Sequence, residues 1–336
     1  MSLGPHKEWA NRSAWTNVSA QDMDQAPVKT AAREKTFQQE LSDVIGRLPD
    51  KAIFFVLLAA WLLLFQFFGH CTFNFAKTPS LFEWMFNAYN TEVMDSAHGQ
   101  VIPVIILVLL WFRRDALCQV IRRVWWPALL LLAGALALHV FGFFAQQPKL
   151  SIVALYFGIY ALCGLTWGRD LMRACFFPFV LFLFAVPLGA EAEPLTFPMR
   201  LLTTQATSWI SRDLLDINIV TVGTKILDAH GTAFEVAAAC SGIRSLFALL
   251  LITLIYAMLS FKSYWRRILI VSLALPLVLI CNTIRITAVM LADQAYGPKF
   301  AYHVHDWFWI VTYSLSIASL FIAAHWLREA PRKDPS

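Results

Sequence analysis

Long apolar runs alternate with short polar and basic segments over most of the chain. Eight of these runs are candidate membrane spans, and several of them approach or exceed the ~18–20 residues with which an α-helix crosses the hydrocarbon core of a bilayer. They lie at residues 52–68, 99–112, 125–144, 151–167, 174–188, 243–261, 268–292 and 307–327. The pattern predicts an all-α polytopic membrane protein with about eight transmembrane helices, which makes the lipid bilayer its first partner.

The polar segments divide the chain around this membrane domain. Residues 1–50 are rich in mixed charge and poor in aliphatic side chains, which predicts a mostly disordered cytoplasmic tail with a short amphipathic helix near 37–48. Residues 51–328 then form the transmembrane domain, and 329–336 form a second cytoplasmic tail. The longest internal polar segment, 189–242, is predicted to be an extracytoplasmic insertion before the sixth span.

Two elements are predicted within this insertion. Apolar residues recur near helical spacing over 193–215, which is typical of a helix lying on the membrane interface. They are Leu195, Met199, Leu202, Trp209, Ile210 and Leu214. Residues 217–227 are rich in Ile, Val and Thr, and apolar residues resume at 233–236, so we predict a small β-hairpin with its turn at 228–231.

Composition agrees with a membrane protein and excludes other classes. Hydrophobic residues make up 58% of the chain and charged residues only 15%, and the net charge of +5 comes mostly from short loops. No basic stripe studded with aromatic residues predicts nucleic-acid binding. The six cysteines are scattered without CxxC or zinc spacing, so they predict neither a disulfide framework nor a cysteine metal site. The nucleophilic chemistry considered below requires no cofactor.

The distribution of basic residues predicts the orientation. If the N-terminus is cytoplasmic, Lys and Arg in the inside segments outnumber those in the outside segments roughly three to one, as the positive-inside rule requires. Both termini are therefore predicted to be cytoplasmic. The 189–242 insertion and the segment that carries His303 and His305 are predicted to face the outside.

Three chemically versatile residues are predicted to lie at this outer face. Cys240 immediately precedes the sixth run, and His305 immediately precedes the eighth. Arg285 lies in the seventh run, roughly 25 Å along a helix from the cytoplasmic end of that run. A thiol, a guanidinium and an imidazole at one depth predict a nucleophilic site.

The chemistry of such a site is consistent with these residue types. A helix N-terminus and a nearby cation such as Arg244 lower the pKa of a thiol, and the thiolate is the nucleophile. His305 can accept the thiol proton and return it to a leaving amine. Arg285 can stabilise an oxyanion or position a carbonyl group, and Asn282, one turn earlier, can orient it.

Other interpretations stay open at this point. Cys240 could be a small buried hydrophobic residue or could pair with Cys71, and Ser241 could be the nucleophile instead. Arg285 could extend toward lipid headgroups. His303 could replace His305 as the base, and the two histidines, which would share one face of a strand, could bind a metal ion.

At these residues the chain resembles the exosortase/archaeosortase family of membrane cysteine transpeptidases. The segment from Glu235 through Cys240, Ser241 and Gly242 to Arg244 is similar to the cysteine motif of the family, and Asn282-Thr-Ile-Arg285 is similar to its Asn-x-x-Arg motif. The third motif, His305-Asp306-Trp-Phe-Trp309, matches in part, because Trp309 stands where Gly is usual. Ala238 likewise stands where many members have an acidic residue.

The resemblance implies a function. Such enzymes recognise a C-terminal sorting signal, made of a short motif such as Pro-Glu-Pro, a transmembrane helix and a basic cluster, on exported proteins. They cleave near the motif on the outer face of the bacterial cytoplasmic membrane, and transfer of the new C-terminus to an acceptor is inferred. The partners implied are the signal-bearing proteins and components of exopolysaccharide assembly. The alternative function is that of a non-catalytic scaffold or transport component of that assembly.

Overall fold

The computed structural model describes residues 36–69, 78–91, 96–119, 123–228, 233–235 and 242–328. The chain divides into two units, residues 1–47 and 48–336. In the first unit the described structure is one helix, α1, over Phe37–Gly46, so a helix forms where the sequence predicts one near 37–48. The backbone amide of Thr36, at its N-terminal end, donates a hydrogen bond to Gln39 Oε1 (3.1 Å). The predicted disorder of residues 1–35 lies outside the described residues.

The second unit is mostly helical. Its described helices are α2 Lys51–Phe67, α3 Leu81–Tyr89, α4 Ile102–Phe112, α5 Arg114–Cys118, α6 Ala128–Phe144, α7 Pro148–Trp167, α8 Arg169–Val180, α9 Glu193–Trp209, α10 Ile243–Ser260, α11 Tyr264–Ser272, α12 Ala274–Tyr296 and α13 Pro298–Trp326. Each of the eight apolar runs of the sequence overlaps at least one of these helices. The chain is therefore a multi-pass membrane protein of predominantly helical structure.

Fewer than eight of the described helices are long enough to be complete spans by themselves. Four helical segments are long and apolar enough to cross a bilayer: Pro148–Trp167, Ile243–Ser260, Tyr264–Tyr296 and Pro298–Trp326. A fifth candidate span is added if α1 and α2 are counted together as one broken span. Helices α4 and α8 have only 11 and 12 residues, fewer than the ~18–20 that a straight span needs. Eight spans therefore remain a prediction.

Helices α2 and α7 cross closely at a glycine. The indole Nε1 of Trp61 donates a buried hydrogen bond to the carbonyl oxygen of Leu155 (3.0 Å). A Cβ atom added at Gly158 would lie 2.1 Å from Cζ2 of Trp61, closer than any real contact. The ring cannot move aside without breaking its hydrogen bond, so position 158 excludes a side chain.

We therefore expect Gly158→Ala to destabilise the protein by about 1–3 kcal/mol, the usual cost of overpacking a core. The matched control is Gly134→Ala in α6, where an added Cβ meets no atom of the described chain within 4 Å. That change should leave stability unchanged or raise it by up to ~1 kcal/mol, since Ala favours helix over Gly. Thermal unfolding in detergent measures both. Equal effects of the two substitutions would contradict the packing argument.

A small antiparallel sheet follows α9. Its strands are β1 Ile219–Val222, β2 Lys225–Asp228 and β3 Ala233–Glu235, in the order β1-β2-β3. The predicted hairpin is present but has one strand more than predicted, because the chain also reverses inside the Ile/Val/Thr-rich run. Val222 pairs with Lys225 across a two-residue turn whose Gly223 has φ +62°. Such turns need positive φ, which glycine adopts at low cost.

Helix α9 and the π-helical turn Ile210–Leu214 that follows it cover the predicted 193–215 helix. Helix α9 packs against α12 and against β1 and β2. Met199 belongs to the buried cluster that joins α9 to the last four helices, together with Ile243, Leu246 and Val278. The sheet shares a second cluster with α12, formed by Ile219, Ile226 and Met290.

Helices α12 and α13 pack along one another and are joined by a single residue, Gly297, with φ +83°. Helix α13 begins at Pro298, so His303 and His305 lie inside a helix and the prediction that they lie in a loop before the last span is wrong. Hydropathy marks only the apolar part of this helix. Its first turns are polar, and a proline at the first helical turn favours the start of a helix there. The two histidines also cannot share a strand face.

Candidate active site

The start of α10 is pressed against α12 by a glycine. Gly242 is the N-cap residue of α10 and has φ +80°, a backbone conformation that side chains other than glycine rarely adopt. A Cβ at this position would lie 3.1 Å from Cγ1 of Val278 and 3.4 Å from Cγ of Asn282. The glycine therefore allows the first turn of α10 to approach the middle of α12.

A narrow cleft opens beside this contact. It is small, with a volume of about 10 Å³ that has room for about one water molecule, and three helices form its walls. The lining residues are Gly242 and Ser245 of α10, Val278, Cys281, Asn282 and Arg285 of α12, and Thr312, Tyr313 and Ser316 of α13. Two of the sequence-predicted site residues, Asn282 and Arg285, thus lie together at the start of α10.

Arg285 is the charged residue of the cleft. It is half-buried and shares one face of α12 with Val278, Cys281 and Asn282, from which it is separated by one or two helical turns. Asn282 is buried, with 5% of its surface exposed. A fixed guanidinium beside a buried amide can hold a carbonyl or a developing oxyanion by several hydrogen bonds.

The threonine and serine hydroxyl groups on the α13 side of the cleft donate hydrogen bonds within their own helix. Thr312 donates to the carbonyl oxygens of Phe308 and Trp309, both at 3.2 Å, and Ser316 donates to that of Thr312 at 3.0 Å. On the other side of Asn282, Thr283 donates to the carbonyl oxygen of Leu279 at 2.8 Å. Thr312 and Ser316 therefore line the cleft while their hydroxyl donors are occupied.

His305 is near the cleft but not among its lining residues. It precedes Thr312 by two helical turns, about 10 Å along α13, and lies on the same helix face. Its Nδ1 is 3.5 Å from Oδ1 of Asp306, and both side chains are roughly half exposed. Because successive residues are rotated by ~100°, His303 lies on the opposite side of α13 and is exposed.

The remaining predicted residues are placed as follows. Cys240, Ser241 and Cys71 lie outside the described residues, and Glu235 is described only as the last backbone position of β3. Arg244 is exposed in the first turn of α10 and does not line the cleft. Among the described residues, no group of His, Cys, Asp and Glu side chains is arranged to hold a metal ion.

Several residues near the cleft were missed by sequence reasoning. Cys281 is a buried free cysteine in the cleft wall, next to Asn282. Tyr313 and Ser245 also line the cleft, and the ring of His98 stacks on Phe247 of α10 at 6.0 Å between centroids. Helical spacing from His305 could have identified Thr312 and Ser316. The others depend on which helix faces which.

One known protein family covers most of the chain. Residues 91–323, more than half of the chain, match the family described as transmembrane exosortase (Exosortase_EpsH). The matched region contains the whole cleft. No curated protein and no solved structure matches the chain. The family match establishes that this chain belongs to the transmembrane exosortase family.

Proposed function

We propose that this protein is a membrane-embedded cysteine protease and transpeptidase that cleaves C-terminal sorting signals of exported proteins. Membership of the exosortase family supports a protease or transpeptidase activity. The observation that carries the proposal is the cleft shared by Gly242, Asn282 and Arg285. Cys240 is two residues before Gly242, so chain connectivity alone keeps its Cα within ~7 Å of that glycine.

The reaction assigns one task to each residue. The Cys240 thiolate attacks the scissile carbonyl carbon, and Arg285 stabilises the oxyanion of the tetrahedral intermediate, oriented by Asn282. The C–N bond then breaks, the leaving amine takes a proton from His305, and a thioester remains on Cys240. Water or an acceptor amine attacks the thioester, gives up its proton to His305 and releases the thiolate.

His305 acts in this scheme from the open end of the cleft. Its helix face is that of Thr312 and Ser316, so a peptide leaving the cleft along α13 passes it. Catalytic hydrogen bonds are often long without substrate and shorten in the bound complex.

The proposed orientation places the cleft on the extracytoplasmic side of the bacterial cytoplasmic membrane, with both termini in the cytoplasm. The basic residues Lys262, Arg266 and Arg267 lie between α10 and α12 at the end away from Gly242. Helix α10 has 18 residues and therefore separates the two ends by about 27 Å, close to the thickness of a bilayer core. Positive charge marks the cytoplasmic end.

The decisive experiment is co-expression of this chain with a tagged reporter that ends in a sorting signal of the Pro-Glu-Pro type. We expect a smaller reporter only when the chain is present, and intact-mass analysis distinguishes hydrolysis from transfer to an acceptor. The reporter with its motif scrambled is the control. A folded, membrane-inserted chain that leaves every sorting signal of its own genome uncut would instead favour the non-catalytic scaffold of exopolysaccharide assembly.

The role of Arg285 leads to a graded prediction. Arg285→Ala should slow reporter processing by about 10²–10³-fold, as loss of an oxyanion donor does. Arg285→Lys should recover only part of the rate, because a lysine keeps the charge but lacks the rigid donor fork. Lys299→Ala, which removes an exposed cation from the first turn of α13, is the control and should process normally. Equal rates for the arginine and alanine chains would exclude this role.

A further inference from the structure

Helix α9 has an inverted distribution of polarity. Large apolar side chains on it are exposed, among them Leu195, Phe197, Leu202 and Trp209. Its buried face carries hydroxyl groups instead. Five buried residues with a hydroxyl group form what we call the hydroxyl row, and none of them is more than 5% exposed. They are Thr203, Thr204, Thr207 and Ser208 of α9 and Ser211 of the π-helical turn that follows it. Their spacing of one helical turn or one residue keeps them on a single face.

The hydroxyl row differs from the other buried hydroxyl groups of the protein. Sixteen described Ser and Thr residues are buried. Eleven of them have a hydrogen-bond partner, such as the carbonyl one turn earlier for Thr166, Thr253 and Thr287. The five that have no partner within the described chain are the five of the hydroxyl row. A buried hydroxyl group without a hydrogen-bond partner is destabilising. A whole row of such groups therefore indicates that they form hydrogen bonds with a bound molecule.

The helix that carries most of the hydroxyl row packs against a wall of the candidate active site. Helix α9 packs on α12, the helix that carries Asn282 and Arg285. Met199 lies one turn before Thr203 and belongs to a buried cluster with Ile243 and Val278. Ile243 follows Gly242 in the chain, and Val278 of α12 faces that glycine. At the same end, Arg200 pairs through its terminal nitrogen with Glu193 while its buried Nε has no partner in the described chain.

Both ends of α9 depart from α-helical geometry. A 3₁₀ turn over Gly189–Ala192 precedes it, and Gly189 has φ +56°. The π-helical turn Ile210–Leu214 follows, and then Asp216 has φ +54°. Irregular turns of this kind often occur at functional sites and at hinges. The helix is thus bounded by two irregular segments, and the buried face of α9 can open to a substrate only if the helix shifts at these turns.

We propose that the hydroxyl row binds the unwound backbone of the sorting signal next to the cleavage point. This inference rests on the proposed function and adds the surface that receives the substrate. A signal that contains a transmembrane helix must be unwound before a nucleophile can reach its carbonyl carbon, and the freed N–H and C=O groups have no partners in lipid. Hydroxyl groups donate and accept hydrogen bonds, so one row serves both kinds of peptide group.

A variant of the hydroxyl row can distinguish substrate binding from a purely structural role. In the triple variant Thr203→Val/Thr207→Val/Ser211→Ala, three hydroxyl groups without partners are replaced by apolar atoms of similar or smaller size. We expect the melting temperature to stay the same or rise, because unsatisfied polar groups are removed. Processing of the reporter should fall by about 100-fold, since three hydrogen bonds to the substrate are lost.

The matched control is Thr166→Val/Thr253→Val, which removes two buried hydroxyl groups that already donate to carbonyls of their own helices. This control should process the reporter at the native rate and gain no stability. A triple variant that processes like the native chain, or that loses processing together with stability, would overturn the proposal. Both outcomes leave the proposed function intact if the native chain cleaves the reporter and Cys240→Ala does not.

Photo-crosslinking gives a direct readout that does not depend on turnover. A reporter with a photoreactive residue beside the cleavage point is bound to the Cys240→Ala chain, irradiated and digested with trypsin. Cleavage after Arg200 and Arg212 releases a peptide, residues 201–212, that contains the whole hydroxyl row. We expect adducts on this peptide. Adducts confined to the α13 peptides would overturn the proposal.

Discussion

The Cys240→Ala protein should accumulate in the membrane at its native level and process none of the reporter. Loss of the nucleophile in a covalent mechanism lowers the rate by at least about 10⁴-fold, because no other group forms the acyl intermediate. Cys240→Ser should retain at most a trace of activity, since an alcohol at neutral pH is a far weaker nucleophile than a thiolate. Immunoblotting of reporter size, with the chain quantified in the same membranes, measures all three proteins.

The chain provides its own control for this experiment. Cys281 is a second thiol and lines the cleft itself, but it lies in the middle of α12, away from the positive end of a helix dipole. Cys281→Ala should therefore process the reporter normally, and Ser241→Ala should do so within about tenfold. If Cys281→Ala is the inactive variant, the nucleophile has been assigned to the wrong thiol. If Ser241→Ala is the inactive variant, the acyl intermediate is an ester of Ser241 rather than a thioester.

The second large effect is expected at His305. Replacement by alanine should slow processing by about 10²–10⁴-fold, the usual contribution of general acid–base catalysis. His303→Ala is the matched control, because this histidine is two residues away on the same helix but on the opposite, exposed side. It should process at close to the native rate. Initial rates of reporter cleavage in isolated membranes compare the two.

Two results would change the assignment of the base. A loss confined to His303→Ala would mean that the far side of α13 faces the substrate. A loss at His98→Ala with normal cleavage by His305→Ala would place the proton donor beside α10, where His98 stacks on Phe247. Each of these results is compatible with a cysteine protease. Each would require the peptide to leave the cleft in a different direction from the one along α13.

Local properties of the chain were predictable from the sequence. Each apolar run overlaps at least one helix, because backbone groups in lipid must pair within their own segment. The helix over 193–215 was recognised from the spacing of Leu195, Leu202 and Trp209, and the sheet from its Ile/Val/Thr-rich run. The Asn282 and Arg285 pair was also recognisable, since spacing of one turn places two side chains on the same helix face.

Other features could not be predicted because they depend on which helix packs against which. Hydropathy located the apolar part of α13 but not its polar start, so His303 and His305 were expected in a loop. Helical spacing suggested an interfacial helix for α9. It did not indicate that the apolar residues are exposed and the hydroxyl groups buried. The apolar runs of the sequence also do not show how long each helix is. Helix α8, with 12 residues, is too short to span a bilayer by itself.

The sequence by itself determined the class of protein, the helical runs and the family motifs, because hydropathy and short-range spacing act within single segments. Only the tertiary structure decided that Gly242, Arg285 and Tyr313, from three different helices, line one cleft. It also decided that the face of α13 with Thr312 and Ser316 lines the cleft, and helical spacing puts His305 rather than His303 on that face. The reason is physical: a membrane helix can turn any of its faces inward, and close packing with its neighbours selects one.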